Sequence, residues 1–191
     1  DYLFNPKYEL MYPDDYTYKI KEENLSNKLC GEFRKGHFDG VLTIVMKLLN
    51  IVSPTKAYFG EKDCQQFLLI KKMAQTFFMD VEIISLPTIR EHDGLAISSR
   101  NKNLSPAGRK QAVCLYQAFS AADKAFKNGE FSASQLKKII ENILNSYSLV
   151  EIDYISIVHP DTFTELDSIE KFALISLAVY IENVRLIDNV I

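Results

Sequence analysis

Between residues 41 and 86 the chain alternates helix-patterned and strand-patterned segments, and this alternation limits the fold more than any other feature. Val41, Ile44, Val45, Leu48, Leu49 and Val52 recur at three- and four-residue spacing, which predicts a helix with one buried face. Ser53-Pro54 stops that helix, and Ala57-Tyr58-Phe59 reads as a brief buried strand. Gly60 permits a tight turn into a second helix carrying Phe67, Ile70, Met73, Ala74 and Phe77 on one side. Val81 to Leu86 is a β-rich run closed by Pro87. Helix, strand, helix, strand is the order a parallel sheet with crossover helices requires, and such sheets bind ligands beyond the carboxyl ends of their strands.

The flanks read differently. Tyr2-Leu3-Phe4, closed by Asn5-Pro6, suits the end of a strand; Tyr12-Pro13-Asp14-Asp15 is turn chemistry, and Tyr16 to Ile20 alternates like a half-buried strand. Asn24-Leu25-Ser26 fits the cap of a short helix ending near Gly31. Beyond Asn101, Ser105-Pro106 supplies a cap and first turn for one long Ala-rich helix running to about Lys127, which Asn128-Gly129 ends. Ser132 or Ser134 caps a further helix bearing Leu136, Ile139, Ile140, Ile143 and Leu144. Ile152 to Val158, Ala173 to Ile181 and Val184 to Ile191 follow without helices between them, which predicts an antiparallel sheet with short connections. Two domains are expected, 1–97 and 98–191.

Charge and cysteine content exclude several classes. A formal net charge of -3 over 191 residues, with Lys71-Lys72 and Lys137-Lys138 only as pairs, leaves no basic stripe for a nucleic-acid backbone. Cys30, Cys64 and Cys114 are too widely spaced for a thiolate metal site and odd in number for a closed disulfide set, as in a reduced, cytoplasmic protein. Apolar runs such as Phe172 to Ile181 are too short to span a bilayer, so no membrane association is expected. The chain opens on Asp1 with no initiator Met, which reads as a start within a longer protein.

Two polar stretches carry the chemistry. In Phe59-Gly60-Glu61-Lys62-Asp63 a glycine between strand and helix lets the backbone approach a ligand, and the first helical turn offers unpaired N–H groups to a phosphate. Lys62 adds a mobile cation, and Asp63 suits ribose hydroxyls or the helix dipole. Gln66 lies about one turn further on, on the same face. The plainer alternative is that Asp63 caps the helix and Lys62 is solvated. Ser98-Ser99-Arg100, after Asp93-Gly94, sets two hydroxyls and a guanidinium where they can wrap phosphate oxygens; its plainer alternative is a polar surface turn shaped by Asn101 and Asn103. Arg34-Lys35-Gly36-His37-Phe38 is a third cluster, in which Arg34 could meet a carboxylate or phosphate. His92 and His159 lack partners at metal-ligand spacing.

Taken together, G-H-F at Gly36 to Phe38, F-G-E-K-D-x-Q-Q from Phe59 to Gln66, D-G-L-A-x-S-S-R-N from Asp93 to Asn101 and R-L-I-D-N from Arg185 to Asn189 closely resemble the pantoate–β-alanine ligase (pantothenate synthetase) family, over essentially the whole chain. The resemblance implies an α/β fold: a Rossmann-like nucleotidyltransferase parallel sheet of the class I aminoacyl-tRNA synthetase kind, here incomplete, followed by a smaller α+β domain with antiparallel strands. It implies a homodimer, and a reaction in which ATP and pantoate give a pantoyl adenylate before β-alanine displaces AMP, with Mg2+ on the phosphates. By the same resemblance Gly60, Glu61, Lys62, Asp63, Ile89, Ile97, Ser98, Ser99 and Arg100 bind ATP, and Gln66 binds pantoate. Lys62 and Arg100 are the implied catalytic cations, stabilising charge that builds on phosphate oxygens rather than moving protons.

Two departures accompany the resemblance. Lys35 stands where the family's motif has Pro. The family's amino-terminal histidine signature, spaced as H-x-G-H, does not occur in these residues, and Gly36-His37 is no substitute. The expectation is that these 191 residues alone do not complete the reaction.

Overall fold

The structure is a computed structural model and describes residues 2–191. Its contacts separate two compact units: residues through Phe59 together with Gln65–Ser85, and Gly60–Cys64 together with Leu86–Ile191. The division expected at 97/98 lies further along the chain, and the 60–64 segment packs with the carboxy-terminal unit rather than with the strand and helix that flank it.

The first unit is built on α1 (Tyr8–Met11), α2 (Cys30–Phe33), α3 (His37–Val52), β1 (Lys56–Gly60), α4 (Cys64–Thr76) and β2 (Glu82–Leu86). β1 and β2 pair in a two-stranded parallel sheet, with α4 as the crossover. Helix α3 starts earlier than the apolar spacing marks, at His37, and its deepest residues are Phe38, Leu42, Thr43 and Leu49, while Val52 is exposed. The buried stripe is therefore rotated relative to the expected one. Thr43 belongs to it because its hydroxyl donates to the Asp39 carbonyl at 2.6 Å and accepts the Ile20 N–H at 2.9 Å, leaving no polar group of its side chain unsatisfied.

Two expected strands are absent here. Tyr2 to Phe4 forms no strand and exposes all three side chains. Tyr16 to Ile20 forms no strand either, following a turn over residues 13–16 as irregular chain, because Asp14 competes for its backbone: the carboxylate accepts the Tyr18 N–H at 2.8 Å, the Asp14 carbonyl accepts the Thr17 hydroxyl at 2.6 Å, and Asp15 and Tyr16 take positive φ. The Asn24 region folds as two short pieces, a 3₁₀ turn at Leu25–Asn27 and then α2. Both are held from α4 by Gln65, whose amide donates to the Leu25 and Lys28 carbonyls at 2.9 and 2.6 Å and accepts the Cys30 N–H at 3.1 Å.

The second unit contains α5 (Pro106–Gln111), α6 (Cys114–Lys127), α7 (Ala133–Asn145), β3 (Val150–Val158), β4 (Leu174–Ile181) and β5 (Val184–Val190). The strands form an antiparallel sheet in the order β3-β4-β5, as expected. Its core joins Leu115 and Phe119 of α6, Leu136 and Ile140 of α7, and Ile157, Leu177 and Ile181 of the sheet. β4, between two partners, is buried at seven of its eight positions. The single long helix expected after Ser105 is two helices with a turn at Ala112–Val113. No Pro or Gly marks that break; Ala112, Cys114 and Leu115 are all buried at it, so packing overrides local propensity. At the start of α5 the Ser105 hydroxyl accepts the Gly108 N–H at 3.0 Å with Pro106 in the first turn. Ser132 precedes α7 without a side-chain cap, its hydroxyl instead lying 3.0 Å from that of Ser134.

Candidate functional site

β1 ends at Gly60, and Glu61–Asp63 make one 3₁₀ turn before α4 begins at Cys64. Gly60 has φ -73° and ψ 136°, ordinary extended backbone, so the turn does not require a glycine. A Cβ built there would meet nothing within 4 Å. The bare backbone of Gly60 thus serves no contact inside the chain, and it leaves open space over the turn. The Asp63 carboxylate caps neither helix and, among the described residues, accepts no hydrogen bond. Lys62 is half-buried and forms no ion pair among the described residues.

Ile89 and Ile97 face each other across a small hairpin closed by bonds from the Glu91 N–H to the Leu95 carbonyl, 2.8 Å, and from the Ile97 N–H to the Ile89 carbonyl, 2.9 Å. The hairpin turns at Gly94, where φ is +91° and the Tyr116 ring lies under the backbone; a Cβ would fall 2.1 Å from a ring carbon. Arg90 lies over the same ring, its guanidinium 5.4 Å from the Tyr116 centroid and donating to the Gly94 carbonyl at 3.1 Å. Asp93 is paired with Arg109 of α5 at 2.7 Å. That bond, ahead of the backbone N–H of Leu95, holds the Asp93 carboxyl below the usual carboxylate range against the opposing effect of burial.

Ser98 follows the hairpin, and Ser99–Asn103 form a 3₁₀ turn. The Ser98 hydroxyl accepts the Arg100 N–H at 3.3 Å, and Asn101 fastens the turn by donating to the Ala96 carbonyl at 3.0 Å. Ser99 and Arg100 are exposed, and the Arg100 guanidinium donates to the Arg185 carbonyl at 3.1 Å.

β5 links these pieces, and its motif R-L-I-D-N carries polar groups whose role the sequence does not reveal. Arg185 donates from Nε and Nη2 to Asp153 Oδ2 at 2.9 and 2.7 Å, where a bulge between Ile152 and Tyr154 shifts the register of β3. Asp188, only 2% exposed, takes a two-pronged bond from Arg90 at 2.6 and 3.1 Å. Asn189, also buried, donates its amide to the Lys62 and Glu61 carbonyls at 2.7 and 3.1 Å. The available signal was a charged and an amide residue side by side, Asp188-Asn189, between the apolar residues of a strand, since such groups are buried only when bonded.

The second unit therefore gathers Gly60 to Asp63, Ile89 and Ile97 to Arg100. Gln66 belongs to the first unit, on α4, where it is partly buried and its amide makes no hydrogen bond among the described residues. In the third cluster Arg34 and His37 occupy each other, Nη1 to Nε2 at 2.9 Å. Cys114 is no nucleophile: burial pushes its thiol up to about 12. Among the described residues no three His, Cys, Asp or Glu side chains come together to hold a metal ion, and no helix is long and apolar enough to cross a membrane.

A parallel strand pair with a helical crossover, a polar turn at the carboxyl end of its first strand, and a separate antiparallel unit define an α/β protein of the nucleotidyltransferase-like kind. The family profile described as Pantoate-beta-alanine ligase matches residues 1–191, and the chain belongs to that family. It is 46% identical to the pantothenate synthetase of Caldicellulosiruptor saccharolyticus over 191 residues, covering 100% of this chain and 68% of that protein. The solved pantoate-beta-alanine ligase (pantothenate synthetase) of Thermus thermophilus superposes with a TM-score of 0.95 at 40% identity, over 100% of this chain and 69% of the other. The pantoate-beta-alanine ligase of Francisella tularensis, described as complexed with beta-gamma ATP and beta-alanine, gives a TM-score of 0.74 at 35% identity, over 95% of this chain and 61% of the other.

Proposed function

We propose that the protein is the ligase that joins pantoate to β-alanine with cleavage of ATP. The carrying observation is that Gly60 to Asp63 and Ile97 to Arg100, two weak phosphate motifs far apart in sequence, belong to one compact unit and are both bonded to β5. Membership of the family and the ATP and β-alanine named for the Francisella tularensis relative support the choice of substrates.

In this reading a pantoate carboxylate oxygen attacks the α-phosphorus of ATP and pyrophosphate leaves. The amine of β-alanine then attacks the acyl carbon of the adenylate, losing a proton as AMP departs. Gly60 lets the nucleotide approach the backbone, Asp63 has its carboxylate oxygens available for ribose hydroxyls, and Ile89 and Ile97 flank the base. Ser98, Ser99 and Arg100 close over the phosphates, and Gln66 holds pantoate. Lys62 and Arg100 stabilise the charge that develops on the phosphate oxygens, the kind of pre-placed electrostatic contribution worth roughly 10²- to 10³-fold in turnover for each donor. Mg2+ would be held mainly by the phosphates, neutralising them, since the described residues bring no cage of carboxylates to it. A homodimer in the reducing cytoplasm, where Cys30, Cys64 and Cys114 form no disulfide with one another, completes the reading.

Pyrophosphate release from ATP and pantoate tests it. Lys62→Ala and Arg100→Ala in the active protein are each expected to lower kcat by about 10²-fold; unchanged turnover in both would remove these residues from the chemistry. With no H-x-G-H in its sequence, the 191-residue chain assayed by itself is expected to show no turnover.

A further inference from the structure

We propose that Asn189 is a positioning residue of the ligase: it fixes the Glu61-Lys62 backbone to β5, the same strand whose Arg185 carbonyl receives Arg100. The inference rests on the reading of Lys62 and Arg100 as phosphate-binding cations. Asn189 is buried, and its single amide nitrogen serves both the Lys62 and the Glu61 carbonyl, 2.7 and 3.1 Å away. A helix-initiating segment normally directs its N–H groups outward to a ligand, so clamping it through its carbonyls constrains the turn without consuming those donors. The neighbouring Asp188, held by Arg90, fixes the same stretch of β5 to the 89–97 hairpin. Arg185 is fixed in turn by Asp153, so the carbonyl that receives Arg100 belongs to an anchored residue.

The two anchor points, Arg185 and Asn189, are four residues apart on one strand, about 13 Å at the rise of a β-strand. Strand β5 thus acts as a rigid spacer between the attachment points of the two cations. A lysine side chain on a loose turn would have to be ordered when the phosphates arrive; on a clamped turn that ordering is already done.

Hydrogen exchange and steady-state kinetics on Asn189→Ala and Asn189→Asp, made in the active protein, test the proposal. Both variants remove the amide donor, and the aspartate keeps the volume, so a packing defect in the alanine variant does not decide the result. With ATP bound, the protection of the 61–63 amides is expected to fall about tenfold in both, from the loss of hydrogen bonds to the two carbonyls that hold the turn, while α7 exchanges at the original rate. In pyrophosphate release both variants should raise the KM for ATP and lower kcat by about tenfold, with the KM for β-alanine unchanged. Unaltered exchange at 61–63, or accelerated exchange with unaltered ATP kinetics, overturns the proposal. Lys62→Ala, measured alongside, separates the two readings: if it is silent, the assignment of Lys62 to the phosphates fails and the role of Asn189 falls with it. If it is impaired while the Asn189 variants are not, only the positioning role fails.

Discussion

Individual residues in this chain divide by whether their chemistry is consumed internally. Gln65 and Gln66 are adjacent and identical in type, yet Gln65 is buried and commits its amide to the Leu25, Lys28 and Cys30 backbone, while Gln66 keeps its amide unbonded among the described residues. Sequence could not distinguish them, because which of two neighbouring helical positions turns inward depends on what packs against the helix. The two glycines of the motifs separate in the same way. Gly60 is conformationally ordinary and a Cβ there would meet nothing within 4 Å; Gly94 is forced from within by its positive φ and by Tyr116. Gly94→Ala is therefore expected to destabilise the protein by about 2–4 kcal/mol, combining left-handed backbone strain with overpacking against the ring. Urea denaturation measures it, and a change below about 0.5 kcal/mol, the range of a neutral surface substitution, would contradict the close approach.

At the scale of elements, the 89–97 hairpin is attached on two sides, to α5 through Asp93 and Arg109 and to β5 through Arg90 and Asp188. The first attachment titrates. Because the Asp93 carboxyl is held below its unfolded value of about 3.9, the unfolded chain takes up the proton first. Its stabilising contribution is complete above about pH 5 and is lost as the pH falls through the ordinary carboxylate range towards the lower folded value. The Tm of Asp93→Asn should accordingly fall less than that of the unaltered protein between pH 6 and pH 3; identical acid slopes would rule the pair out as a contributor. β5 shows the limit of pattern reading for elements. Its strand character was plain from its β-rich composition, but Arg185, Asp188 and Asn189 acquire partners only through β3, the hairpin and the 61–62 turn, all distant in sequence.

On the scale of the molecule, the second unit has one continuous apolar core in which α6 and α7 cover the antiparallel sheet. Leu136 is fully buried in it, so Leu136→Ala is expected to cost about 3 kcal/mol in chemical denaturation, and a loss under about 1 kcal/mol would show that the site collapses around the cavity. The sequence by itself determined the alternation of helix and strand, the antiparallel run at the end, and the two polar stretches, because apolar period, turn residues and short motifs are local properties. Resemblance of those motifs also reached the family. Tertiary structure alone decided that the helix after Ser105 breaks at Ala112, that residues 60–64 pack with the second unit, and that Asn189 holds the Lys62 turn. Each of these depends on partners remote in the chain, which are not written in the local spacing of residues. The polar motifs could be read as capable of binding phosphate; the strand that sets them in place could be found only in three dimensions.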